Sequence, residues 1–322
     1  MNITTGLTGP FPRSEALVAA TRDLDRGRTT LEAVDALYTS TTEDVVKLEE
    51  RLHLDPLTGG YLRWPDLFRP FAETWTGFTV GPVTRWFETN TFFRQPVLNA
   101  PPGRVPGALR TWFPPLPRDS SRRQWKAILP GPYTFARLLD NRSGETPEAL
   151  THRLGRLYAE EVRELRSAGY GTFQFQEPLL VVDPPEGAAA EAVVAAYDAI
   201  QPQLTGVRSA IWTYFGDAAP VGPLLARLPV GAIGIDLAET EPAQLATLGA
   251  HRALGLGCVD PRTTLVEDPA DVAKVVREVV RRLSPSSIFL GPGGPLDLLP
   301  WEPATRKLHV LPAAHQLLSR GD

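Results

Sequence analysis

At 322 residues, 43% hydrophobic and 22% charged, the chain has ordinary globular composition and enough apolar material for a large core. A net charge of −4, with basic residues scattered rather than clustered, gives no electrostatic reason to expect nucleic acid or an anionic membrane as a partner. The single cysteine, Cys258, excludes an intrachain disulfide and any multi-cysteine metal site, and makes a cytoplasmic location the expectation.

Short β-branched runs alternate with longer amphipathic stretches, which predicts parallel strands joined by crossover helices. The opening MNITTGLTGPFPRS has no basic stretch followed by an apolar one, so no signal peptide is expected. The first strand is predicted over Asn2–Leu7, followed by helices around Glu15–Arg26 and Thr30–Leu52. The second helix is expected to bend near Thr39–Thr42, where four hydroxyl residues compete for backbone hydrogen bonds. A second strand is predicted at Leu57–Tyr61, and an extra extended pair, Val83–Asn90 and Phe92–Asn99, reads as an inserted hairpin. The Pro-rich stretch 101–123 is either a lid or a long surface connection.

The remaining strands are predicted at Lys126–Leu129, Thr172–Gln176, Arg208–Tyr214, Ala232–Asp236, Ala253–Val259 and Ser287–Leu290. Between them, Thr146-Pro147-Glu148 opens a helix with a cap, a first-turn proline and an early acid, and Asp268-Pro269 opens another. Leu150, Leu154, Leu157, Val162 and Leu165 recur at the spacing of a core-facing stripe. Eight strands with alternating helices predict an α/β fold, a (β/α)₈ TIM barrel with a hairpin after the second strand, in one domain over residues 1–322.

In such a barrel the chemistry lies at the C-terminal strand ends. Those ends carry Arg13, Arg63, the cluster Trp86, Glu88 and Asn90 of the hairpin, Gln176-Glu177, Trp212 and Tyr214, Asp236, and Arg262. Glu177, Asp236 and Tyr214 are the candidates for acid–base work, with Glu177 alternatively a structural acid. Arg13, Arg63 and Arg262 either hold substrate carboxylates or make surface ion pairs. Trp86, Glu88, Asn90, Gln176 and Trp212 complete the candidate substrate-binding set. His53, His152, His251, His309 and His315 are dispersed along the chain and read as surface or core residues, and Cys258 as a buried small hydrophobe.

Seven segments in order resemble the catalytic barrel of cobalamin-independent methionine synthase. They include TGPFPRS at 8–14, RWFETNTFFRQP at 85–96, LPGPYT at 129–134, FQFQEPLL at 173–180 and GLGCVDPRTTLVEDP at 255–269. The resemblance spans about residues 3–317 and implies methyl transfer to a thiol such as homocysteine, from a methylfolate or a methylcorrinoid delivered by a protein partner. It also implies a zinc ion that lowers the thiol's pKa, held by a His-x-Cys pair, an acid and a final Cys. Those positions are Trp212, Tyr214, Asp236 and Gly294 here, so only the acid is kept and no metal is expected. The family's acid before Glu-Pro is Gln176, and a family histidine is Arg262. The expectation is therefore a divergent, zinc-independent methyltransferase acting on a small organic acid or folate-like ligand. Two alternatives stay open, a metal-free lyase or decarboxylase of the same superfamily and a non-catalytic ligand-binding barrel.

Overall fold

The computed structural model describes residues 1–116, 124–248 and 252–320. The strands are β1 (Asn2–Thr5), β2 (Thr76–Arg85), β3 (Phe92–Gly103), β4 (Lys126–Pro130), β5 (Asp140–Asn141), β6 (Thr172–Gln176), β7 (Arg208–Trp212), β8 (Ala232–Asp236), β9 (Ala253–Val259) and β10 (Ser287–Pro292). The helices are α1 (Glu15–Asp25), α2 (Leu31–Arg51), α3 (Arg69–Thr74), α4 (Pro132–Leu138), α5 (Pro147–Ser167), α6 (Leu179–Val182), α7 (Gly187–Leu204), α8 (Gly222–Arg227), α9 (Pro269–Leu283), α10 (Trp301–Leu308) and α11 (Val310–Ser319). Among the described residues no helix is long and apolar enough to cross a membrane.

Seven parallel strands form one curled sheet in the order β1-β10-β9-β8-β7-β6-β4. The eighth strand expected at Leu57–Tyr61 is not formed. Gly59 and Gly60 take φ of +66° and +75°, a left-handed backbone that a strand cannot use, and Gly59–Tyr61 is a 3₁₀ turn. Buried Glu49 of α2 fixes that turn, accepting from the Thr58 and Gly59 amides and the Thr58 hydroxyl. The residues just before it do reach both edges of the sheet. Asp55 N donates to Thr5 O (2.8 Å), Leu57 N to Gln124 O (2.8 Å), and Lys126 N to Leu57 O (2.9 Å).

A second sheet pairs β2 antiparallel to β3, with β5 parallel to β3. Its first strand lies earlier than the predicted Val83–Asn90, because Trp86–Thr91 closes into a turn. The Trp86 amide donates to Thr91 O and the Thr89 amide and hydroxyl donate to Trp86 O. β3 extends to Gly103, inside the stretch predicted to be irregular, and Leu109–Trp112 is a 3₁₀ turn; 117–123 lie outside the described residues. α2 runs unbroken through Thr39–Thr42. The hydroxyls of Thr39, Ser40 and Thr41 donate to carbonyls three or four residues back within a continuous helix.

The interior of the curled sheet is closed across its middle by Trp212. A Cβ added at Gly234 or Gly255 would sit 2.0 Å and 2.2 Å from its ring, so these glycines on β8 and β9 leave the space the indole fills. Phe289 of β10 meets it edge-on at 5.8 Å and 88°. This layer separates one cavity at the C-terminal strand ends from another at the N-terminal ends.

Candidate functional site

The loop after β1 carries Thr8 across the end of the sheet, where its carbonyl accepts from the side-chain amides of both Gln174 and Gln176. Five residues on, Arg13 donates from Nε to Leu62 O and from Nη2 to Trp64 O, both at 2.9 Å, tying this loop to the turn after Gly59–Tyr61. The loop after β10 joins them, with the Leu296 and Asp297 amides donating to Pro10 O. These contacts frame a cavity of about 330 Å³.

Aromatic rings enter its wall from Phe11, Tyr61, Trp64, Trp86, Phe92, Phe93 and Tyr214. Arg13, Asp66, Gln176 and Asp297 supply the polar groups. Both Asp66 oxygens are committed, Oδ1 to the amides of Phe68 (2.9 Å) and Arg69 (2.7 Å) and Oδ2 to that of Arg94 (3.0 Å). Burial raises its pKa against the pull of those amides. Gln176 is different, because its Oε1 is buried with no hydrogen-bond partner among the described residues. Asp297 is an exposed residue on the cavity wall. The surrounding protein pushes its carboxyl pKa upward, Arg13 draws it down and Asp66 adds to the rise. Burial also lifts the Tyr214 phenol well above its ordinary range, so it stands in the wall as a neutral O–H.

Beside this cavity the four positions of the expected zinc site converge. Trp212 Nε1 donates to Gly293 O at 2.9 Å. A Cβ on Gly293 would lie 2.5 Å from Asp236 Oδ1, and one on Gly294 would lie 3.3 Å from the Tyr214 ring. Convergence is therefore retained while the donors are not. The indole nitrogen carries a hydrogen and offers no lone pair, glycine has no side chain, and the phenol is neutral. With a single carboxylate among the four positions, this donor set does not fit zinc. Asp236 is buried, its Oδ1 accepts from the Ala238 amide, its Oδ2 has no partner among the described residues, and burial pushes its pKa up to about 6.

Glu177 points the other way. Its oxygens accept from the amides of Tyr133 (3.1 Å) and Thr134 (2.8 Å) at the start of α4 and from the Tyr197 hydroxyl (3.0 Å). It is fully buried, outside the mouth cavity, and desolvation pushes its pKa up to about 7. A Cβ at Gly131 would sit 1.9 Å from its Cδ, so Gly131 is what lets the carboxyl reach the helix start.

Of the other candidates, Trp86 lines the cavity, whereas Glu88 and Asn90 are exposed on the β2–β3 turn and do not. Arg63 lies on a different face, paired with Asp35 at 2.6 Å and stacked on Tyr38. Arg262 is held by Asp260 and Glu239. Cys258 is half-buried, with burial pushing its thiol up to about 12. His251 lies outside the described residues. Sequence reasoning missed Asp66 and Asp297. The second was within sight, following Gly293-Gly294-Pro295 at the last strand end.

Residues 77–284 match the family model described as cobalamin-independent synthase, N-terminal domain. The chain is 26% identical over 309 residues to a methionine synthase of Sulfurisphaera tokodaii, a match covering 94% of this chain and 89% of that protein. A 5-methyltetrahydropteroyltriglutamate–homocysteine methyltransferase of Chelativorans sp. is 32% identical over 235 residues, 69% of this chain but only 30% of that protein. The fold is similar to that of a B12-independent methionine synthase from Shewanella sp. solved with selenomethionine, at a TM-score of 0.79 over 98% of this chain and 97% of that one, with 16% identity.

Proposed function

The chain belongs to the cobalamin-independent methionine synthase family, and from that premise we propose that it is a methyltransferase-type barrel that binds a methylfolate-class ligand in its mouth cavity and works without a zinc–thiolate centre. Asp55–Leu57 serves in this reading as the eighth stave, closing a (β/α)₈ barrel in a single domain.

The observation that carries the proposal is the unpartnered, buried Gln176 Oε1 in a cavity walled by aromatic rings. A flat heterocycle bearing N–H donors matches that combination. Its faces pack on the rings, and its donors reach Gln176 Oε1 and the Asp297 carboxyl. When a methyl group leaves a ring nitrogen for an acceptor, that nitrogen finishes with a proton. Asp297, its pKa raised beside the cavity, and the neutral Tyr214 phenol are the proton-bearing groups on the wall. Glu177 and Asp236 are not assigned this work, since neither lines the cavity. A match to the N-terminal-domain model, alongside positions that carry Trp, Tyr and Gly in place of His and Cys, supports the absence of a zinc–thiol step.

One observation favours a second reading. Neither buried acid expected to catalyse lines the cavity, which suits a barrel that binds its ligand without turnover. A two-arginine carboxylate clamp of lyase type has less support, because among the described residues Arg13 is the one arginine on the cavity wall.

Calorimetric titration with 5-methyltetrahydrofolate, alongside elemental analysis and an assay of methyl transfer to homocysteine with and without a chelator, separates these readings. We expect binding that Asp297→Asn weakens about tenfold, roughly 1.4 kcal/mol, and turnover indifferent to chelator. No binding overturns the ligand assignment, and stoichiometric zinc overturns the metal-free one. Binding with no methyl transfer selects the second reading.

A further inference from the structure

The end of the sheet opposite the mouth is ordinarily the stability face of such a barrel, filled by bulky branched side chains. Here several inward positions near the strand starts are small or hydroxylic, Thr4, Thr172, Ala232, Ala253 and Ser287. They leave a cavity of about 240 Å³ beneath the Trp212–Phe289 layer.

Two cations line it, and among the described residues no carboxylate does. Lys126 is 2% exposed, with Nζ donating to Leu7 O (2.6 Å) and Gln174 Oε1 (3.0 Å) and lying 4.1 Å from the centre of the Phe289 ring. Arg208 stands half-exposed at the rim, paired with Asp55 at 3.3 Å. Thr172 Oγ1 is buried and has no hydrogen-bond partner among the described residues, which in a native interior calls for a partner from elsewhere. Burial works against the Lys126 charge and draws its pKa down to about 7, while Glu49 and Asp55 pull it back up. Trp212 and Phe289 give the wall its apolar roof, and Asn2, Gln174 and Ser209 add polar groups to the lining.

We propose that this lower cavity is a second ligand site, taking a small carboxylate with a compact apolar body. The carboxylate faces Lys126, Thr172 and Arg208, and the apolar body packs beneath the indole. A free phosphate satisfies the same cations but leaves the apolar roof uncovered. The site is independent of the mouth reading, because Trp212 stands between the two cavities and they share no lining residue.

The test uses the intact chain and calorimetric titration with benzoate, with inorganic phosphate in a parallel arm. We expect one site for benzoate, at least tenfold weaker in Lys126→Met and in Ala253→Leu, and unchanged in Asp297→Asn. Ala253→Leu fills the cavity without touching the Lys126 hydrogen bonds, and so keeps the question open to measurement where Lys126→Met fails to fold. Thr172→Val is expected to weaken binding about threefold. Absence of benzoate binding, or equal affinity in Ala253→Leu, overturns the site. Phosphate binding as tight as benzoate overturns the ligand class, and loss of benzoate binding in Asp297→Asn relocates it to the mouth.

Discussion

At the C-terminal end of the sheet the inward positions are Gln176, Tyr214 and Asp236, with Gly293 opposite; at the N-terminal end they are Thr172, Ala232, Ala253 and Ser287. Both ends hold a cavity, yet the upper one is ringed by aromatics with acceptors and carboxyls, while the lower one has two cations and hydroxyls. The difference comes from what each strand brings at its two ends, since every strand runs the same way. A parallel barrel thus sorts chemistry by position along a strand, and a single large side chain in the middle suffices to keep the two ends apart.

The largest effect is expected at that divider. Trp212→Ala removes a 1%-exposed indole and its hydrogen bond to Gly293, and should cost about 4 kcal/mol in urea-induced unfolding. A loss under about 1 kcal/mol would mean that the layer is not what holds the ends apart. Glu177→Gln comes next and tests the mouth end through pH. Its folded pKa, about 7, stands above the ordinary 4.5, so the carboxyl's contribution is complete below about pH 4.5 and is lost as pH rises through 7. The stability gap between wild type and Glu177→Gln, roughly 1–2 kcal/mol at pH 5, should narrow by pH 8 in thermal melts. A widening gap would show the ionised form to be the better cap for α4. Arg63→Ala is the smallest change: its ion pair with Asp35 is partly exposed, so we expect less than about 1 kcal/mol and unchanged methylfolate affinity. A tenfold loss of affinity would extend the mouth site across to α2.

Much of this arrangement is legible in the sequence. Seven strands fall where β-branched runs alternate with amphipathic helices, because burial on both faces dictates composition over several residues. The missing eighth was signalled by Gly59-Gly60, whose conformational freedom favours a turn over a strand. The site was harder. Thr172, Gln174 and Gln176 face the interior, so strict alternation already sends Glu177 outward, and parity along β6 outweighs its place beside the Glu-Pro motif. Asp297 stood at the last strand end, but that it shares a cavity with Asp66 and Arg13 could not be found this way, because it depends on three loops far apart in the chain. The apolar periodicity that reveals strands says nothing about which loops touch.

Gly131 and Glu177 are 46 positions apart in numbering, yet the space at one is occupied by the carboxyl of the other. They cannot drift separately. A side chain at 131 is admissible only after 177 has become small, and a small residue at 177 leaves the start of α4 without its acceptor. A library that randomises position 131 alone would therefore recover almost nothing but glycine, whereas one that varies both together would reveal which other pairs this corner of the barrel accepts.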